Sequence, residues 1–186
     1  MDHIIRDFLA FNVYFIVIVY LAFIMFLRPP WKVILASLLG GLVMALLNMG
    51  FDLLAYTAHW WQYSLNGLIL HLPLPFYLTP WLIYGGIVYL LIWRFWQGRY
   101  HWLALLFLIG VPIVGIARDL SGALTQTAYT AWENVPLASV ATVVMWLVMF
   151  YAGLLVFRQL APVRSETVAQ EQPVAPNLEE QRNSAQ

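Results

Sequence analysis

Three carboxylates, two histidines and a dense set of aromatics are the side chains of this chain whose types and spacing could do chemistry. Asp52, Tyr56, His59 and Tyr63 recur at i, i+4, i+7 and i+11, the spacing of one helical face. Asp119 and Glu133 lie in the second polar break between apolar runs. A carboxylate near the bilayer interior loses the hydration that stabilises its anion, so a pair such as Asp52 and Asp119 can hold one protonated and one ionised member. That is what acid–base work on an uncharged lipid needs, and it makes Asp52, Asp119 and Glu133 the candidate catalytic residues. The plainer alternative is that each acid ends a helix in the headgroup layer. Glu133, three residues before Pro136, is better placed as an N-terminal cap. Arg118, beside Asp119, is either its salt-bridge partner or a ligand for an anionic headgroup.

His59 and His71 could complete a metal site, because imidazole and carboxylate suit zinc or iron. No HExxH spacing accompanies them, and no metal or cofactor is expected. The absence of cysteine excludes disulfides, thiolate metal sites and a cysteine nucleophile. There is no P-loop, dinucleotide fingerprint or nucleophile elbow, and no lysine inside an apolar run to carry a retinal Schiff base. Tyr56, His59, Trp60, Tyr63, Trp81, Trp132 and Trp146 are the candidate substrate contacts. Trp31, Trp60, Trp93, Trp96 and Trp102 fall near the ends of apolar runs and suit an interfacial belt. Trp81 and Trp146 lie inside such runs and suit a pocket for a flat or polyene ligand.

The elements that must position these residues are membrane helices. Apolar residues make up 62% of the chain and charged residues 10%, too lopsided for a water-solvated surface. Runs of nearly uncharged residues at about 8–27, 33–51, 76–93, 102–117 and 137–157 approach the length that spans a hydrocarbon core. The expected fold is therefore all-α, a polytopic integral membrane helix bundle of five spans covering residues 1–161. Residues 162–186, rich in Glu, Gln, Pro and Ser, read as a disordered tail. Leu68 to Pro75 is expected to form a re-entrant or interfacial segment. Pro112, inside the fourth span, should free a backbone carbonyl that a neighbour must satisfy. Gly40 and Gly41 supply a small-residue face for close helix approach, within the chain or to a homo- or hetero-oligomer, or reflect only the abundance of glycine in membrane helices.

Arg28, Lys32, Arg94, Arg99, Arg158, Arg164 and Arg182 fall on one side of such a bundle, and only Arg6 and Arg118 on the other. The bias predicts a cytoplasmic C-terminus, an outside N-terminus and outward-facing loops at 52–75 and 118–136, in a membrane of bacterial plasma-membrane type. The N-terminus lacks the basic region and cleavage site of a secretory signal, so the first apolar run is expected to stay as a span. A zero net charge gives no reason to expect a nucleic-acid partner. The second to fifth spans also suggest a parallel repeat. Asp52, Trp60, Pro73-Leu74 and Arg94 are followed by Asp119, Trp132, Pro136-Leu137 and Arg158 in the same order.

Asp52 at a helix end, Trp61-x-Tyr63, and Leu72-Pro73-Leu74 opening the next helix together resemble the small membrane lycopene cyclase domain. The resemblance covers about thirty residues. It implies repeated groups of short spans and proton-initiated cyclisation of carotenoid ends, an isomerase or lyase activity on an isoprenoid lipid. The family's acidic pair would fall near Pro75-Phe76, where no acid stands, so proton transfer would pass to Asp52, Asp119 or Glu133. The competing expectation is a non-catalytic membrane subunit, pigment-binding protein or small transporter component.

Overall fold

A computed structural model of the chain describes residues 2–63, 72–97, 99–125 and 130–162. It is helical, as the composition requires. Helix α1 spans Asp2–Leu27, α2 Trp31–Thr57, α4 His101–Thr125 and α5 Val135–Leu160. The stretch between α2 and α4 is a composite helix. A 3-10 turn at Leu74–Tyr77 leads into a π-helical segment at Thr79–Ile87 and then into α3 at Val88–Trp96. Two three-residue strands, β1 at Trp61–Tyr63 and β2 at Thr130–Trp132, complete the described elements.

Four of these helical units are long and apolar enough to cross a membrane: Trp31–Thr57, Leu74–Trp96, His101–Gly122 and Val135–Leu160. The apolar stretch Asn12–Leu27 of α1 is shorter. Large apolar side chains such as Met25, Phe26, Ile113 and Leu155 point outward, which fits a hydrocarbon solvent. The helices outrun the expected spans. Helix α2 continues past Phe51 to Thr57, which places Asp52 inside the helix instead of at its exit, and α4 carries Arg118 and Asp119 within its last turns. Backbone groups near the bilayer surface still need partners, and an added helical turn supplies them.

The composite unit lies against α2 and α3 lies against α4, while α4 and α2 both pack on α5; these contacts close the four units into a ring. Helix α1 straps onto the outside against the π segment, where Tyr20 hydrogen-bonds Ser37 of α2 at 3.2 Å. Glycines permit close contacts on both sides of α2. A Cβ on Gly40 would lie 2.7 Å from the Gly153 carbonyl oxygen of α5, and one on Gly41 would run into the Trp81 carbonyl of the π segment. Both glycines of the expected small-residue face thus pack within the chain. Tyr89, fully buried, fills the centre: its hydroxyl donates to the Phe150 carbonyl at 2.7 Å, and its ring stacks on Phe157.

Pro112 lies within α4, and the carbonyl four residues earlier, Leu108, lacks its helical donor. The Tyr151 hydroxyl of α5 donates to it at 3.1 Å, the neighbour that the proline requires. Beyond the C-terminal ends of α2 and α4 the two halves of the chain meet in β1 and β2. These strands pair antiparallel, with Trp61 opposite Trp132 and Tyr63 opposite Thr130. Helix, strand and helix therefore recur in that order in each half, with the two strands facing each other.

Candidate functional site

The C-terminus of α2 decides where the first loop goes. The Trp60 amide donates to the Ala55 carbonyl at 2.9 Å and the His59 amide to Tyr56 at 3.4 Å, the paired bonds of a Schellman cap. His59 occupies the left-handed position at φ 55°, which glycine usually fills. This reversal ends the helical face that Asp52, Tyr56, His59 and Tyr63 would share. Tyr56 remains on α2, His59 turns into solvent, and Tyr63 lies on β1.

In an extended strand, alternate side chains point to one side. Trp61 and Tyr63 both use that period to reach back to Asp52. The Trp61 indole N–H donates to Asp52 Oδ1 at 3.0 Å, and the Tyr63 hydroxyl to Oδ2 at 3.1 Å. From the 3-10 turn, the Tyr77 hydroxyl donates to the same Oδ2 at 2.7 Å. Asp52 is 4% exposed, so these three donors replace its water. Burial, then the neighbouring Asp52 charge, push the Tyr63 phenol well above its ordinary pKa.

Asp119 has a separate set of partners. Trp146 of α5 donates its indole N–H to Oδ2 at 2.7 Å, and Arg118 donates to Oδ1 at 2.8 Å. The Arg118 guanidinium also reaches the Tyr84 hydroxyl at 3.0 Å and lies over the Tyr84 and Trp146 rings. Of the two roles open to Arg118, the salt bridge to Asp119 is made, at 2.7 Å. The ring of Trp146 fits only because residue 115 is glycine, where a Cβ would collide with it. No hydrogen bond joins Asp52 to Asp119 among the described residues, and each carboxylate has its own donors.

Glu133 does not cap α5. Asn134 does, accepting from the Leu137 amide at 3.3 Å, one residue further along than expected. Glu133 is instead a rivet between the loops: its amide donates to the Trp60 carbonyl at 3.0 Å, and its carboxylate lies 3.4 Å from His59 Nδ1. Trp132 packs on Trp61 with ring centroids 5.8 Å apart, and Trp60 packs on Trp61 in turn. His71 and Leu68–His71 of the expected interfacial segment lie outside the described residues. Among the described residues no three His, Asp or Glu side chains gather closely enough to hold a metal.

Below the Asp52 cluster, an apolar groove of about 200 Å³ runs between α2 and the composite helix. Leu42, Ala45, Leu46 and Met49 form one wall, and Leu74, Tyr77, Leu78 and Trp81 the other. Trp81 is fixed there by donating to the Leu38 carbonyl at 3.0 Å. Tyr77 belongs to both features: its ring lines the groove and its hydroxyl holds Asp52. Tyr77 carries no local signal in the sequence, since it stands 25 residues from Asp52. Tyr84 was equally hidden. Trp61 had one, the period-two pair Trp61-x-Tyr63, which distinguishes it from Trp60. The chain matches no protein-family model, no curated protein and no solved structure.

Proposed function

We propose that this chain is an integral plasma-membrane protein, N-terminus outside and C-terminus cytoplasmic, that takes up a lipophilic molecule of isoprenoid or carotenoid type. The acyclic chain of such a molecule lies in the groove between α2 and the composite helix, and its end reaches the outer acidic and aromatic cluster. One observation carries this reading. Tyr77 is at once a wall of the apolar groove and a hydrogen-bond donor to buried Asp52, so a hydrocarbon in the groove lies one aromatic ring from a carboxyl group. Chemistry of the lycopene cyclase kind fits that contact. A protonated Asp52 would give its proton to a terminal double bond, the aromatics would stabilise the cation, and loss of a proton from carbon would restore the acid. The orientation rests on the Lys and Arg bias between the two ends.

A second reading, a non-catalytic pigment- or lipid-binding protein, is favoured by the three donors on Asp52, which suit a carboxylate held as an anion. Expression in a bacterium that accumulates a linear carotenoid separates the two. A new pigment that disappears in Asp52→Asn, with the variant present in the membrane, identifies an enzyme. An unaltered carotenoid that co-purifies with the protein, and is lost on Leu46→Trp in the groove, identifies a binding protein. An unchanged pigment profile with nothing bound ends the proposal for this class of molecule.

A further inference from the structure

The end of the bundle opposite Asp52 has a composition of its own. Helix α1 ends there and α2 begins, α3 ends and α4 begins, and α5 ends. Arg28, Lys32, Arg94, Arg99 and Arg158 all stand at these termini and all are exposed. No Asp or Glu of the described residues shares that end; Asp52, Asp119 and Glu133 are at the other. Among the described residues no carboxylate pairs with Arg28, Lys32, Arg99 or Arg158, and like charges so placed favour a bound anion.

The surface is also shaped. The Arg158 guanidinium lies over the Trp96 ring at 4.7 Å, and Trp96 packs edge-on against His101 at 5.0 Å. His101 Nδ1 is 2.6 Å from the Trp96 carbonyl oxygen, which fixes that pair. Trp93 donates its indole N–H to the Pro162 carbonyl at 3.0 Å, tying the end of α5 to α3. Exposed Trp31 and Trp102 flank the cations with their rings turned outward. Arginine held flat on an aromatic ring keeps its N–H edge free to grip phosphate oxygens, and tryptophans at that depth sit among headgroups.

We infer that this end binds the phosphodiester headgroup of an anionic phospholipid, with Arg158 as its central contact and Arg28, Lys32, Arg94 and Arg99 around it. The occupant is a lipid and not a soluble phosphate, because the cations ring the ends of membrane-spanning helices and tryptophan side chains lie beside them. The inference is independent of what the outer site does.

The full-length protein, extracted from membranes containing both phosphatidylcholine and phosphatidylglycerol, is examined by native mass spectrometry for retained lipid. Phosphatidylglycerol should be retained several-fold over phosphatidylcholine, and Arg158→Gln should lower that ratio about fivefold, the weight of one basic residue near an anionic surface. Arg158→Lys should fall between, since it keeps the charge and loses the planar grip. Arg99→Gln provides the same test should Arg158→Gln fail to fold. Equal retention of the two lipids, or a ratio indifferent to whichever arginine variants fold, would overturn the inference. So would displacement by excess inorganic phosphate, which would make the site one for a soluble anion. A preference that emerges only after Glu166, Glu171, Glu179 and Glu180 are changed to glutamine would make the acidic tail the occupant instead.

Discussion

Replacing Asp52 by asparagine tests whether the carboxylate is the tie that holds β1 and the 3-10 turn to α2. Three donors converge on it, the Trp61 indole at 3.0 Å and the Tyr63 and Tyr77 hydroxyls at 3.1 and 2.7 Å. An amide offers one acceptor oxygen in place of two. If that oxygen serves the tyrosines, the Trp61 N–H faces an NH2 group, and an indole donor cannot rotate away as a hydroxyl can. One buried orphan donor costs about 1–3 kcal/mol, and loss of charge assistance on the remaining bonds adds about 1 kcal/mol, giving roughly 2–4 kcal/mol. Thermal unfolding of the purified protein in detergent should then shift down by roughly 5–15 °C, at about 2–4 °C per kcal/mol for a chain of this size. Tyr77→Phe removes one donor and should cost about 1–2 kcal/mol. Because the two changes act on one shared acceptor, and loss of the Tyr77 donor frees the amide oxygen for another, the double variant should be less destabilised than the sum of the singles, by about 1 kcal/mol or more. Asp52→Asn within about 0.5 kcal/mol of the parent, or strict additivity with Tyr77→Phe, would refute the tie.

Two glycine substitutions should behave oppositely. Gly153→Ala puts a Cβ 2.6 Å from the Gly40 carbonyl oxygen and should cost about 1–3 kcal/mol, whereas Gly50→Ala meets nothing within 4 Å in mid-helix and should stabilise by about 0.5–1 kcal/mol, both read from detergent melting curves. His59→Gly relieves the left-handed backbone at φ 55° and gives up only an exposed contact to Glu133, so it should be neutral or stabilising by up to about 1 kcal/mol in the same assay. The raised Tyr63 phenol sets an alkaline limit. Its contribution is fully present below the ordinary tyrosine value of 10.0 and is lost as pH rises from there through the folded value, because only the unfolded chain ionises readily. Melting temperatures should accordingly fall more steeply above that pH in the parent than in Tyr63→Phe, and equal slopes would contradict the assignment.

The membrane helices were legible because twenty-residue apolar runs have few other uses, and the carbonyl that Pro112 frees found its donor, Tyr151, as the chemistry of proline demands. Charges misled on the boundaries. Asp52, Arg118 and Asp119 mark polar ends in a linear reading, yet all three lie within helices, because burial with the right donors lets a helix carry a charge past the point where the sequence seems to stop. The helical period that joined Asp52 to His59 and Tyr63 fails at a Schellman turn built on histidine, where the usual glycine would have announced the break. Asp52 was found from type and position alone. Its partner Tyr77 and the Trp146–Asp119 bond depend on how separate helices meet, and no local spacing encodes that.

The strand pair has a consequence for how the molecule comes to be built. Every group that holds Asp52 belongs to residues 52–77, so this knot can be tied as soon as α2 and the composite helix have entered the bilayer. The β1 backbone, however, waits for β2, which leaves the ribosome only after α4. The first half of the chain therefore holds all the side-chain bonds to Asp52 but not the main-chain bonds of β1, with an edge at Trp61–Tyr63 that β2 closes. A chain severed in the short link between α3 and α4 would leave two pieces, each missing what the other carries, and the edge is where they would recognise one another.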